Sequence, residues 1–302
     1  MNKTFLITGA TGLTGGYILK SLLERGDKAA VLTSSPETAG EKLPASVRTI
    51  VPWKNYMKLA DEKIGVIINL AGRNIGEKRW SEKVKKQIYD SRIITTRKLI
   101  ELIKRMKVKP ETLINASGSD YYGDRGNEPV TEESPPGTGF LSELCIDWEK
   151  EAYNAEDYGV RVVVIRNGFV MAKNAPALKK LALPFRLFAG STAGSGKQYM
   201  SWIHVRDLVR IYLLAADRKE IRGAVNAVSP NPVTMKEFCK NIAVVLRRPS
   251  YLHVPSFLVK LVFGEMGSVV LNGRRAYPEK LIQAGFKFEF EQSLPALRDV
   301  LL

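Results

Sequence analysis

The chain is poor in the residues from which metal and disulfide chemistry is built. Its 302 residues include two cysteines, Cys145 and Cys239, and two histidines, His204 and His253. Two distant thiols make neither a zinc site nor a disulfide framework, and so few imidazoles leave no ligand set for a transition metal. No metal is therefore expected. There is also no run of about 18 apolar residues, which excludes a membrane-spanning helix. The apolar segment after Met1-Asn2-Lys3 extends only from Thr4 to Thr8, too short for a signal peptide and followed by no small-residue cleavage site. These absences predict a reduced, cytoplasmic protein. Internal repeats and low-complexity segments are missing as well.

What is present is a core-forming composition and an excess of positive charge. Hydrophobic residues make up 45% and aromatics 9% of the chain, too much for a disordered protein and enough for a large buried core. The formal net charge is +15, and it is unevenly spread. Between Glu77 and Lys109 there are twelve basic and four acidic residues. The plainest reading of that stretch is the solvated face of a long helix. A second is a funnel for an anionic small-molecule substrate, phosphorylated or CoA-linked. Nucleic acid or an anionic membrane ranks last for it, since neither an aromatic-interleaved RNA motif nor a recognition-helix module accompanies it.

The first half of the chain alternates between two periodicities. Short apolar runs predict strands at Thr4–Thr8, Lys28–Thr33, Val47–Val51, Gly65–Leu70, Thr112–Ser117 and Arg161–Arg166. Helical spacing separates them at Tyr17–Arg25, Ser81–Met106 and Leu141–Tyr158. Strands that scarcely alternate belong to parallel sheets covered on both faces, and strands separated by helices form βαβ units. The predicted fold is α/β, a doubly wound Rossmann-type parallel sheet. After residue 172 the rhythm breaks at Pro184, Gly190, Gly194 and Gly196. Helices return at Val205–Ala216, at Met235–Arg247 behind the capping box Thr234-Met235-Lys236-Glu237, and near Pro278–Ala284. The expected organisation is a dinucleotide-binding domain over 1–172 and a smaller mixed α/β lobe over 173–302. Gly190 to Lys197 fails as a triphosphate loop, with Ser191 and Gln198 where the motif needs Gly and Ser or Thr. It reads as a flexible loop over the substrate with glycine hinges.

Gly9-Ala10-Thr11-Gly12-Leu13-Thr14-Gly15 joins the first strand to the first helix. Glycine serves here for a tight turn, for backbone approach to a pyrophosphate and for close helix–strand packing, and the helix N-terminus offers free N–H groups to the phosphates. The second strand ends Val31-Leu32-Thr33-Ser34-Ser35, with no acid before Glu37. A carboxylate there would hold the ribose 2′-hydroxyl of NAD and repel the 2′-phosphate of NADP. Its absence leans to NADP(H), with NAD as the alternative. Lys42 and Arg48 are further candidates for the phosphate.

Several stretches carry a family resemblance. They are the Gly9, Gly12, Gly15 spacing, Asn69-Leu70-Ala71-Gly72, Lys78-Arg79-Trp80, Asp90-Ser91-Arg92-Ile93, Tyr121-Tyr122-Gly123, Asp147-Trp148-Glu149 and Ser201-Trp202-Ile203-His204. Together they resemble the atypical "epimerase family" subgroup of extended short-chain dehydrogenases/reductases, historically also labelled cell-division-inhibitor-like. That subgroup has a small C-terminal domain, which Pro278 to Leu301 resembles, within a C-terminal segment of about residues 250–302. The resemblance implies NADP(H) binding by Gly9 to Leu13, by Thr33 and Ser34, and by Leu70, Ala71 and Gly72. It also implies that Arg92 lies near the cofactor, and Ser117 is placed with this group. The subgroup often has arginine where this chain has Ser34.

The usual members transfer a proton with Tyr-x-x-x-Lys, whose lysine lowers the tyrosine pKa. Here those positions fall on Leu141 and Cys145, or one residue earlier on Phe140 and Leu144, and none can do that work. The usual serine of the fifth strand falls on Gly118, between Ser117 and Ser119. Tyr121, Tyr122, Ser117 and Ser119 stand near the carboxyl edge of the sheet and are the substitutes, with Tyr122 and Ser119 as the candidate catalytic pair. Cys145 reads as a small buried hydrophobe and His204 as a hydrogen-bonded structural histidine. Two functions follow from the sequence. One is an NADP(H)-dependent oxidoreductase or epimerase-like enzyme of unknown substrate. The other is a non-catalytic NADP(H)-binding regulator with a protein partner, linked by the old family label to cell division.

Overall fold

The computed structural model describes residues 3–47 and 49–302. Strand β1, Thr4–Thr8, runs into helix α1, Leu13–Glu24, which stops at Gly26 with φ of +82°. Strand β2, Lys28–Thr33, helix α2, Pro36–Lys42, strand β3, Thr49–Pro52, and strand β4, Val66–Asn69, follow. Helix α3, Glu82–Arg105, is capped by the Ser81 hydroxyl, which accepts from the Val84 N–H at 3.3 Å. Strand β5, Thr112–Gly118, helix α4, Phe140–Tyr153, and strand β6, Arg161–Asn167, complete the predicted alternation.

Among the described residues the central sheet has seven strands, all parallel. The sequence reading has six. Helices α5, Pro176–Arg186, and α6, Val205–Asp217, precede the seventh, β7, Gly223–Ala227, which pairs in parallel with β6. The strand order is β7-β6-β5-β4-β1-β2-β3. One strand of the sheet and the helix that covers it therefore come from beyond residue 172. The chain turns back between β1 and β4, and ligands of such sheets sit at the carboxyl ends of the strands on either side of that switch.

Alternating side chains feed two layers. Phe5 and Ile7 pack with Ile18, Leu19 and Leu22 of α1 and with Leu208, Ile211 and Tyr212 of α6. Leu6 and Ile67 point the other way, against Leu99 and Ile103 of α3 and Ala152 of α4. A second core joins α5, helix α7, Met235–Leu246, and the last helix, Ser293–Leu301, around Phe185, Phe238 and Leu297. Thr234 caps α7 as expected, accepting from the Glu237 N–H at 3.2 Å. Pro184 does not break the chain but lies in the last turn of α5, where its missing N–H forgoes one helical bond. Helix α8, Ser256–Phe263, buries only Val259. Among the described residues no helix is long and apolar enough to cross a membrane.

The Gly190–Lys197 segment, expected as a loop, begins as a strand, Gly190–Ala193, and continues as a hydrogen-bonded turn. Gly194 donates to the Val254 carbonyl, and the Gly196 and Gln198 carbonyls accept from Lys236 and Met235 at the start of α7, at 2.9–3.0 Å. Its glycines, 194 and 196, sit at φ of +67° and +71° in a tied turn.

Candidate functional site

The β1–α1 turn is built by close approach. Gly9 has φ of +69°, and a Cβ there would stand 2.7 Å from the Leu70 carbonyl oxygen. A Cβ on Gly15 would stand 2.2 Å from the Gly9 carbonyl oxygen. Both positions therefore demand glycine, one against β4 and one against the turn itself. Gly12 donates to the Gly9 carbonyl at 3.0 Å and caps α1 with no side chain over the helix end. Thr11 and Gly12 are exposed and Leu13 is half-buried, so the first N–H groups of α1 open outward. At the end of β2, Thr33 is half-buried, and its hydroxyl accepts from the Ser35 N–H at 3.2 Å. Ser34 is exposed beside it. Lys42 is exposed in the last turn of α2, and Arg48 lies outside the described residues.

A buried polar network fixes the second wall. The Thr8 hydroxyl donates to Asn69 Oδ1 at 2.7 Å and accepts from the N–H groups of Leu70 and Ala71, each at 3.0 Å. Asn69 Nδ2 donates to Asn115 at 2.6 Å and to the Thr96 hydroxyl at 2.9 Å, where the Trp148 indole N–H also donates at 2.9 Å. Ends of β1, β4 and β5 are thereby locked to α3 and α4. The locked backbone is that of Leu70 and Ala71, which leads into Gly72. Gly72 leaves room for Arg92, whose guanidinium carbon would be 2.8 Å from a Cβ there.

Arg92 is half-buried on α3. Its guanidinium lies 5.2 Å from the Trp148 ring and, among the described residues, donates only to the Ile88 carbonyl, at 3.0 Å. Burial lowers its pKa to about 10, with weaker opposing effects from Cys145 and Asp120. Among the described residues no carboxylate pairs with it directly, and Asp120 acts on it only at longer range.

The tyrosine and lysine positions carry no proton-transfer chemistry. Leu141 and Leu144 are buried with Trp80 and Ile88, and Phe140 packs on them. Cys145 is buried, and burial pushes its thiol up to about 12, with Asp120 and Glu149 adding to the shift. This matches the expected inert cysteine.

The hydroxyls near the end of β5 separate into two groups. Ser117 donates to Glu149 at 2.7 Å. Glu149 accepts both guanidinium edges of Arg166, at 2.9 and 2.8 Å. Arg166 donates to the Tyr122 hydroxyl at 2.9 Å, which itself donates to Asn226 Oδ1 at 2.7 Å. Tyr122 is fully buried, and burial pushes its pKa up to about 12. Its hydroxyl thus faces the protein interior, not the cleft, which differs from the catalytic role expected of it. Ser119 is also buried and Tyr121 half-buried, but their hydroxyls are not tied into this network. Among the described residues neither side-chain hydroxyl has a hydrogen-bond partner, although the Tyr121 ring lies 3.4 Å beneath the Arg166 guanidinium. Asp120, between them, pairs with Arg274 at 2.6 Å.

The sequence reading missed Asp120, Arg274, Glu149, Arg166 and Asn226. Only Glu149 stood in a quoted motif, and its partner Arg166 ended a predicted strand. His204 is structural as expected. It is buried, its Nε2 lies 3.1 Å from Asp299, its Nδ1 accepts from the Arg206 N–H, and it stacks on Phe290. Along α3, Lys85 pairs with Glu82 and Glu265, Lys86 with Asp90 and Arg97 with Glu151. With Lys107 on Asp61, four of the twelve basic residues of the stretch have acidic partners among the described residues.

Residues 5–227 match the NAD dependent epimerase/dehydratase family, and residues 254–300 match a domain of unknown function, DUF1731. An Arabidopsis thaliana protein described as "Epimerase family protein SDR39U1 homolog, chloroplastic" is 36% identical, over 99% of this chain and 86% of its own length. The Bacillus subtilis "Epimerase family protein YfhF" is 37% identical over 98% of this chain and 97% of its own. Among solved structures, human epimerase family protein SDR39U1 with NADPH superposes with a TM-score of 0.89 at 28% identity, covering 98% of each chain. UDP-glucuronic acid 4-epimerase from Bacillus cereus, with UDP-glucuronic acid and NAD, superposes at 0.78 with 16% identity over 99% of this chain and 98% of its own, a likeness of fold alone.

Proposed function

This chain belongs to the NAD dependent epimerase/dehydratase family, and on that premise we propose that it is an NADP(H)-dependent oxidoreductase or epimerase-like enzyme. The observation that carries the reading is the pinched turn at Gly9 and Gly15, which brings backbone and the open end of α1 to where a pyrophosphate would lie. Gly12, Thr11 and Leu13 offer the phosphate contacts. Thr33 and Ser34 receive the 2′-phosphate end, and Leu70, Ala71 and Gly72 carry the other half of the dinucleotide. When bound, the nicotinamide supplies hydride transfer. The human relative holding NADPH supports this choice of cofactor, with NAD as the alternative.

Arg92 takes over the electrostatic work that lysine performs in the usual members. It presents a positive charge beside the nicotinamide end, suited to orienting ribose hydroxyls or an anionic substrate. Ser117 lines the same edge with its proton held by Glu149. The proton donor falls to Ser119 or Tyr121, whose hydroxyls near the end of β5 have no hydrogen-bond partner among the described residues, and Tyr122 serves to position Arg166. The substrate is a small molecule, and the buried free thiols support a cytoplasmic setting.

A second reading is a dinucleotide-binding regulator without turnover. The apolar side chains at the tyrosine position and the inert Cys145 at the lysine position favour it. One experiment separates the two: NADPH oxidation by the purified protein across a panel of carbonyl substrates and nucleotide sugars. Turnover that disappears in Ser119→Ala or Tyr121→Phe, with NADPH affinity kept, supports the enzyme. Tight NADPH binding with no turnover on any substrate supports the regulator.

A further inference from the structure

The C-terminal lobe carries an apolar face that the fold does not cover. Leu187 and Phe188 leave the end of α5 exposed, and Tyr251 stands out from the strand Ser250–Val254. That strand pairs only with Gly190–Ala193, so its other edge is open among the described residues. Helix α8 follows at once and exposes Phe257, Leu261 and Val262, each 62–70% accessible. The pieces are contiguous. Gly190 pairs with Ser250, and Arg248 lies 4.3 Å over the Phe188 ring. An apolar helix in water that buries a single side chain is costly unless something covers it.

The charge around this face selects the occupant. From Tyr158 to Arg206, and again from Phe238 to Gly264, the chain contains no acidic residue. The same segments contribute Arg186, Arg247, Arg248 and Lys260, all exposed. Of the two acids that bound the second segment, Glu265 is already paired with Lys85 at 2.9 Å, and Glu237 stands exposed in the first turn of α7. A two-fold contact between copies would set this basic rim against itself, because such an interface opposes the same patch on both subunits. An anionic surface has the opposite demand. We propose that this face docks on an anionic lipid bilayer, with α8 lying in the interface and Arg247, Arg248 and Lys260 at the level of the headgroups. Apolar burial and electrostatic attraction then act together, as they do for interfacial helices rimmed by basic residues. The start of the basic stretch adjoins the end of α8, where Arg79 lies against Gly264 and Lys85 pairs with Glu265.

Flotation of the purified full chain with vesicles tests this. One set is phosphatidylcholine alone, the other phosphatidylcholine mixed with phosphatidylglycerol. Binding is expected to the anionic vesicles and to fall with added salt. The double substitution Phe257→Glu with Leu261→Glu is expected to lower the bound fraction at least about tenfold, since each side chain loses its burial in the bilayer. Arg247→Glu with Lys260→Glu is expected to lower it about tenfold on anionic vesicles only. Both pairs are exposed, so circular dichroism and the melting temperature should stay unchanged. No binding to either vesicle type overturns the proposal. So does equal binding to both, or a dimer in solution that the Phe257→Glu, Leu261→Glu variant dissolves.

Discussion

Glu149 grips Arg166 by both guanidinium edges, at 2.9 and 2.8 Å, and the pair lies directly beneath the residues from which proton transfer was expected. Ser117 and Tyr122 each spend a hydrogen bond on it. Both charges are about 5% exposed, so neither can fall back on water. Removing one partner strands the other. Glu149→Ala is expected to cost about 3–5 kcal/mol of stability, the penalty of a buried unpaired charge. Urea unfolding would read this as a lower midpoint with an unchanged slope. A loss below about 1 kcal/mol would mean that water reaches Arg166.

Tyr122→Phe should behave as a structural substitution. It leaves Asn226 Oδ1 without its donor and is expected to cost about 1–3 kcal/mol. Its pH signature has a definite sign. The folded pKa is raised from 10.0 to about 12, chiefly by burial, so the folded protein keeps a proton that the unfolded chain releases. That contribution is complete below pH 10 and is lost as pH climbs towards 12. Wild type should therefore lose stability more steeply than the variant across that window, in denaturant midpoints measured at stepped pH. Parallel curves would show that Tyr122 is open to solvent.

Ser119→Ala and Tyr121→Phe divide the proton-transfer role. The true donor should lose about 10²–10⁴ in kcat while its NADPH affinity holds. A fall in affinity instead would make the residue a cofactor contact.

Ser34→Arg should add a clamp for the 2′-phosphate. A guanidinium at the tip of β2 gains a charge-assisted bond to a 2′-phosphate, worth about 1.5–3 kcal/mol. The ratio of NADH to NADPH dissociation constants should rise about tenfold or more. An unchanged ratio would place the adenosine ribose away from Ser34.

How legible was this molecule in its sequence? The strands Thr4–Thr8 and Lys28–Thr33 are plain because each holds a short unbroken apolar run, and Thr112–Ser117 because Leu113, Ile114 and Ala116 stand between helical stretches. The Gly9–Gly15 turn was plain because its chemistry is local. Strand β7, Gly-Ala-Val-Asn-Ala, escapes because its small side chains and Asn226 leave no apolar run to announce it, and tertiary packing on β6 makes it a strand. The polar cluster under the site could not be read at all. Arg166 and Glu149 are 17 residues apart, and Tyr122 and Asn226 are 104 apart, so only the fold brings them together. Tyr122 stood at the right edge of the sheet, but the sequence could not tell which way its hydroxyl points.

The central claim is dinucleotide binding at the β1–α1 turn, and fluorescence titration with NADPH tests it most directly. Gly12 is exposed, and a Cβ there would lie 3.2 Å from the Gly9 carbonyl oxygen, so Gly12→Asp can fold with a small shift. Its carboxylate would then face the pyrophosphate. Saturable NADPH binding by the wild type, weakened at least about a hundredfold in Gly12→Asp, is the expected result, equivalent to about 2.7 kcal/mol. No binding by the wild type, or equal binding by both proteins, would contradict the account.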